Sequence, residues 1–458
     1  MDSSFSYIIA STLHQDVKDA QLISAAEMGD IEQVQAWLQV GANKDAINQY
    51  GETALIFAAS KGHTDVVVHL LSIGASKEAV DMYGNTALIA AAAKGHTAVV
   101  EKLIEAGANK DAFNLTGETA LTFAADYDHA EVIEKLILAG ANKEAANEDG
   151  MTALMAAAQH GNTAALEKLI EARVNTEATD QSGNTALIIA ALNGQIEMVS
   201  ALLSAGANKN AFNLGGETAL MLAAFHCYND VAAHLLLNGV NIEASNEEDE
   251  TALIFAAYNG HTSVIEKLIL AGANKDATNQ DGRTALMFSA ANGHTAALSQ
   301  LIKAGANIEA LDNAHESAIS YAAMHRREAL VFLLLNALPS ERVNVLFAQP
   351  NPIQVQAIAL FRQAISRAKI NTVIIFMGMF SGKTPKMPLD LMNPILDFIF
   401  PTWLRARQDT QIEEIEQVQQ LLSIAQPVIF SRGKEHCALS LSNDEEKKSP
   451  KGNNKPHR

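Results

Sequence analysis

An all-α repeat solenoid is the fold predicted for this 458-residue chain, and three observations predict it. Thr-Ala-Leu begins at Thr53, Thr86, Thr119, Thr152, Thr185, Thr218, Thr251 and Thr284, each 33 residues after the last. Short runs of small and apolar residues between these points end in Gly, the residue that closes helices. The register also holds without insertion or deletion over ten units, residues 19–338, from Leu22-Ile23-Ser24-Ala25-Ala26 to Ser317-Ala318-Ile319. A fixed period of this length marks units that stack only on their neighbours.

One unit shows the physics. Thr53 is a helix N-cap residue, and Ala54 to Lys61 reads as a short helix of small and apolar side chains ended by Gly62. Thr64 opens a second helix, in which Val67, Leu70 and Leu71 stand at the spacing of a buried stripe, and Gly74 ends it. Asn48, Tyr50 and Gly51 mark a hairpin turn between units. The Ala pairs (Ala58/Ala59, Ala91/Ala92, Ala124/Ala125, Ala157/Ala158) let adjacent helices approach closely, so each apolar face is covered by the next unit. Cys227-Tyr228, Asp249 and Arg326-Arg327 break the Gly-His and turn-glycine pattern, and those units are expected to be locally distorted or specialised.

The Gly62-His63 pair, the Gly74-Ala75 pair and the Thr-x-Leu helix start resemble the ankyrin repeat over roughly 320 residues. The resemblance implies a stack of helix-turn-helix units with hairpin loops that holds other proteins on a concave face of fingers and inner helices. This chain departs from the family's Thr-Pro-Leu-His: Thr-Ala-Leu is followed by Ile56, Ile89, Thr122, Met155, Ile188, Met221, Ile254 and Met287. Turn hydrogen bonding is expected to give way there to apolar burial. Lys44-Asp45, Lys77-Glu78, Lys110-Asp111, Lys143-Glu144 and Lys275-Asp276 form a second departure, a ladder expected to be a solvated face of mutually paired charges. His63, His96, His261 and His294 hold one turn position at intervals of 33 residues or more, a spacing for structural hydrogen bonds rather than for a metal site.

Charge narrows the ligand class. The chain has 33 Lys/Arg and 52 Asp/Glu; 15 and 11 of these lie in residues 339–458, a net +4, which leaves 18 against 41 in residues 1–338, a net −23. So acidic an array is unsuited to a nucleic-acid backbone, and solubility is its simplest reading. Cys227 and Cys437 form neither a metal spacing nor a disulfide framework, which favours a reducing, cytoplasmic setting. Met1 to Thr12 lacks the pattern of a secretory leader, and the longest apolar run, Val373 to Phe380, is too short to span a bilayer.

The variable column before each turn reads Ile47, Val80, Phe113, Ala146, Thr179, Phe212, Ser245, Thr278 and Leu311. Its apolar and aromatic members gather in the first half. Ile47, Tyr50, Val80, Tyr83, Phe113 and Leu115, with Tyr127 at the end of an inner helix, are the candidate partner-binding residues. The alternative is that they pack against adjacent fingers. Phe212 and Leu214 complete the set, because Ala112-Phe113-Asn114-Leu115 recurs 99 residues later as Ala211-Phe212-Asn213-Leu214. Duplication of a three-unit block or an extended ligand touching both accounts for the echo.

Pro339 breaks the register. Residues 1–18 are expected to be an N-terminal segment, 339–439 a mainly helical cap or small domain, and 440–458 a disordered polar tail. Within the C-terminal region, Ile353 to Lys369 and the stretch holding Ile412, Ile415, Val418 and Leu422 read as amphipathic helices. Gly378 to Lys383 departs from a phosphate-binding loop, having three rather than four residues between its glycines, with Pro385 and Pro388 where a helix would start. Met387 to Ile399 resembles the start of an F-box, which implies docking on the adaptor of a cullin-type ubiquitin ligase. Ankyrin arrays with such a segment occur in proteins that poxviruses and intracellular bacteria use on host cells, which would place the chain in host cytosol as an effector. A buried helix capping the last repeat is the competing reading. Taken together, the sequence is that of a non-catalytic interaction scaffold with no catalytic residues, metal or cofactor. A substrate-recruiting ligase subunit is the alternative, and an enzyme in the tail is a third.

Overall fold

The computed structural model describes residues 13–339, and among these every regular element is an α-helix. The helices come in ten pairs. The inner helices are Gln15–Met28, Ala54–Lys61, Ala87–Ala93, Ala120–Asp126, Ala153–His160, Ala186–Leu192, Ala219–Phe225, Ala252–Asn259, Ala285–Asn292 and Ala318–Met324. Each is followed by an outer helix, Ile31–Gln39 in the first unit, Thr64–Ser72 in the second, and Glu328–Ala337 in the tenth. Inner helices pack on the inner helices of the units before and after them, and outer helices likewise. This is the all-α solenoid expected from the 33-residue period. The first inner helix begins at Gln15, ahead of the expected start of the array at residue 19.

The Ala pairs decide the spacing. Ala58, Ala59, Ala91, Ala92, Ala124 and Ala125 have no exposed surface, so inner helices meet almost backbone to backbone. Behind them Leu70, Leu103, Leu136, Leu169, Leu202 and Leu235 of the outer helices are equally buried. Each such Leu contributes about 1.5–3 kcal/mol on leaving water. The residues in place of the family's His are buried too: Ile56, Ile89, Met155, Ile188 and Met221 are 0–3% exposed. Thr122 keeps polar chemistry at that position, accepting from the Thr119 N–H at 2.7 Å and donating to the Thr119 carbonyl at 2.8 Å.

Side chains also lock each unit to the next. His63 Nε2 lies 2.9 Å from the Glu27 carbonyl, His96 Nε2 3.0 Å from that of Ser60, and His261 and His294 make the same bond to Phe225 and Tyr258. Each imidazole thus satisfies a helix-end carbonyl of the preceding unit. Glycine makes this contact geometrically possible: Gly62 has φ 80°, and a Cβ on it would lie 2.6 Å from His96 Nδ1.

The Lys-acid ladder differs from the expected row of paired charges. The Glu78, Asp111 and Asp276 carboxylates accept the backbone N–H groups of Asn109, Asn142 and Asn307 one unit on, at 3.0, 2.7 and 2.7 Å. Glu144 does the same for Asn175. Lys143 Nζ meanwhile donates to the carbonyls of Ala172 and Arg173, and Lys209 Nζ to that of Asn238, where an outer helix ends. Of the five Lys-acid steps of the ladder, only Lys44–Asp45 (2.6 Å) and Lys275–Asp276 (3.8 Å) form an ion pair. The charges cap the backbone of the following unit, because unsatisfied amides are a stronger demand than neighbouring charges in water.

The irregular units are not distorted. Asp128, Arg173, Cys227, Asp249, His315 and Arg326 take the positive φ, 54° to 64°, that glycine takes in sister units. The stack imposes that conformation on side chains that disfavour it.

Candidate functional site

Between helix pairs the chain forms fingers. The one leading into the second inner helix turns at Asn48, whose Oδ1 accepts the N–H groups of Tyr50 (2.8 Å) and Glu52 (3.0 Å). Fingers join edge to edge: the Met82 N–H donates to the Tyr50 carbonyl (2.8 Å), the Leu115 N–H to that of Tyr83 (2.9 Å), and so on as far as Asn313 and Asp281. Gly84 admits this approach, since a Cβ there would stand 2.8 Å from the Leu115 nitrogen. The fingers are therefore one continuous backbone ladder, rigid from the second unit to the tenth.

That rigidity holds the predicted residues in water. Antiparallel bridges Ile47 to Thr53, Phe113 to Thr119 and Phe212 to Thr218 pin the backbone on either side of each tip. Ile47, Tyr50, Val80, Tyr83, Phe113, Leu115, Tyr127, Phe212 and Leu214 are all exposed, between 49% and 71%. Packing between adjacent fingers would have hidden them. The first six stand on three consecutive fingers, joined by Met82 at 53%. Tyr127 sits apart from the tips, at the end of the fourth inner helix, its ring stacked on Phe123 at 6.4 Å between centroids. Phe212 and Leu214 lie three units further on.

Beside Tyr127 the ends of two adjacent inner helices bring a histidine and a carboxylate together. His160 Nε2 is 2.9 Å from Asp126 Oδ1, and burial, with the nearby Glu118 charge adding to it, pushes the Asp126 carboxyl above its ordinary range despite the histidine.

Two features escaped the sequence reading. The first is a network in the last fingers: the Tyr321 hydroxyl donates to Asp312 Oδ2 at 2.6 Å, while Arg283 lies over the Tyr321 ring at 5.3 Å. Arg283 Nε is 3.7 Å from Asp312 Oδ2, an ion pair without a hydrogen bond. The Asp312 side chain is only 1% exposed. Burial pushes its carboxyl up, but the Tyr321 hydroxyl, the Glu316 and Ala314 amides and Arg283 outweigh it and hold the group below its ordinary range. Burial, together with the bond to Asp312, pushes the Tyr321 phenol up to about 12. The available signal was Arg283 itself, a cation in a column otherwise reading Glu52, Asn85, Glu118, Met151, Asn184, Glu217, Glu250 and Glu316. The second is a set of partly exposed side chains on inner-helix ends, Phe225, Tyr258 and Met324, spaced in multiples of 33. Phe225 meets Phe255 edge-on at 5.8 Å, and Tyr258 meets Phe288 at 5.9 Å.

Among the described residues no three His, Cys, Asp or Glu side chains converge as metal ligands, and no helix is long and apolar enough to cross a membrane. The phosphate-loop-like stretch, the F-box-like segment, Cys437 and the two C-terminal amphipathic stretches lie outside the described residues, as do the expected cap and polar tail.

A family profile described as ankyrin repeats (3 copies) matches residues 22–114, 109–180, 164–246 and 253–345. No curated protein matches the chain. With that profile covering more than half of the sequence, and with helix pairs stacked one on the next through all ten units, the chain belongs to the ankyrin-repeat family, whose arrays are protein–protein interaction scaffolds.

Proposed function

We propose that this chain is a non-catalytic scaffold that holds a protein partner on the finger side of its array, with Ile47, Tyr50, Val80, Tyr83, Phe113 and Leu115 as the principal contact. The observation that carries this reading is the exposure of six large apolar side chains on three consecutive, mutually hydrogen-bonded fingers. Apolar and aromatic groups held rigidly in water on one surface lose little conformational freedom on binding, which is the condition for an energetic hot spot. Tyr127 extends the contact toward the inner helices. The acidity of residues 1–338 directs the reading to a protein rather than to nucleic acid.

A photo-crosslinking residue at Phe113 tests this. It is expected to trap one partner from a cytosolic lysate, whereas the same residue at Leu138, which is 75% exposed on an outer helix, traps none. Equal trapping at both positions counts against the finger side. The ligase-recruiting alternative rests on residues 387–400 and is separated by deleting them from the full chain: loss of a co-purifying cullin adaptor favours it, and unchanged co-purification opposes it.

A further inference from the structure

The 99-residue echo is a structural identity and not only a verbal one. Asn114 Nδ2 donates to Asn85 Oδ1 at 3.2 Å and to Glu118 Oε2 at 3.1 Å; Asn213 Nδ2 donates to Asn184 Oδ1 at 3.1 Å and to Glu217 Oε2 at 3.0 Å. The side chains displayed on these frames match in exposure, Phe113 with Phe212 at 68% each and Leu115 with Leu214 at 70% and 71%. The two blocks have diverged elsewhere: Thr116 corresponds to Gly215, Phe123 to Leu222, and Asp128 to Cys227. Both tips nonetheless display Phe and Leu to water.

The two intervening fingers are of opposite character. Their variable column holds Ala146 and Thr179, and their tips carry Glu148, Asp149, Asp180 and Gln181. No Lys or Arg stands on a fingertip between Leu115 and Leu214: Lys143 and Lys209 are spent on helix-end carbonyls, Lys135 and Lys168 on outer-helix carboxylates, and Arg173 follows the C-cap of an outer helix. Resting on the reading above that the fingers hold a protein, we propose that the occupant of this surface is one extended segment with an apolar anchor at each end and a basic spacer between. Helices pack about 8–10 Å apart, which sets the two apolar tips roughly 30 Å apart. At about 3.3 Å per residue, such a segment runs about nine residue steps from one anchor to the other, with about eight residues between them. Asp180 is taken up by the amides of its own turn, and the exposed Glu148 and Asp149 select Lys or Arg in the spacer by charge complementarity. Once one anchor is seated, the second binds at the high effective concentration of a short tether.

A phage-displayed library of random 16-residue peptides, selected on the full chain, tests this. Selected pools are then assayed on Phe113→Ala/Leu115→Ala and Phe212→Ala/Leu214→Ala chains. The expected sequences carry two apolar clusters about nine residues apart with Lys or Arg between, and either double variant weakens them by a comparable factor, about 100-fold. Sequences with a single apolar cluster, weakened by one double variant only, overturn the two-anchor inference and leave the finger side as a binding surface. Sequences indifferent to both variants, or no enrichment, overturn the inference, and the finger-side reading is then decided by the crosslinking comparison of Phe113 with Leu138. Melting temperatures of both variants within a few degrees of the parent exclude unfolding as the cause of any loss.

Discussion

The seams between units and the tips of the fingers repeat with the same 33-residue period, yet they use their side chains in opposite ways. At the seams nearly every group has a partner: Ala58 and Ala59 are enclosed, His96 holds the Ser60 carbonyl, and Glu144 holds the Asn175 amide. At the tips the backbone is equally satisfied, but Tyr83, Phe113 and Leu115 face solvent. The seams therefore carry the stability of the stack. The tips cost that stability little and stay free to vary, which is what a binding surface on a repetitive frame requires.

The sharpest break in that contrast comes from a seam leucine. Leu103→Ala empties a fully buried site between outer helices and is expected to cost about 2–5 kcal/mol in urea unfolding. Asp312→Ala comes next. It strips the half-buried Tyr321 hydroxyl of its acceptor and is expected to cost about 2 kcal/mol, because hydrogen bonds to charged groups contribute about 1.5–3 kcal/mol. The sign of the pH effect follows from the depressed Asp312 pKa. Its stabilisation is present above the unfolded value of about 3.9 and is lost as pH falls through the folded value, so acid titration below pH about 4 should narrow the gap between parent and variant. Gly62→Ala is expected to lose about 1–2 kcal/mol, since it places a Cβ against His96 at a left-handed φ. Arg173→Gly is expected to gain about 1 kcal/mol by relieving a φ of 55° at an exposed helix end, seen as a higher melting temperature.

The legibility of the chain follows the same division. Seams and helix ends are local, so Thr caps, Gly closures and Ala pairs were visible as letters at a fixed period, and exposure at the tips followed from the variability of the column holding Ile47, Val80 and Phe113. The true partners of the Lys-acid ladder were hidden. Glu144 reads as the neighbour of Lys143, but its carboxylate serves a backbone amide one unit later, and an amide leaves no mark in the sequence. The Arg283–Asp312–Tyr321 network was hidden because its members come from two fingers and an inner helix that meet only once the units stack. The strained caps were misjudged in the other direction: Cys227 and Asp249 looked like distortions, yet packing on both sides holds the backbone to the glycine path.

The central contrast is tested most directly by substituting Tyr83 and Phe113 together with Ala and measuring urea unfolding and partner capture on the same preparation. Exposed positions away from structural features change stability by no more than about 0.5 kcal/mol, so unfolding should be nearly unchanged while the crosslinked partner is lost. A stability loss of about 2 kcal/mol or more, as for a buried site, or undiminished capture, would contradict the assignment of the fingertips to a partner.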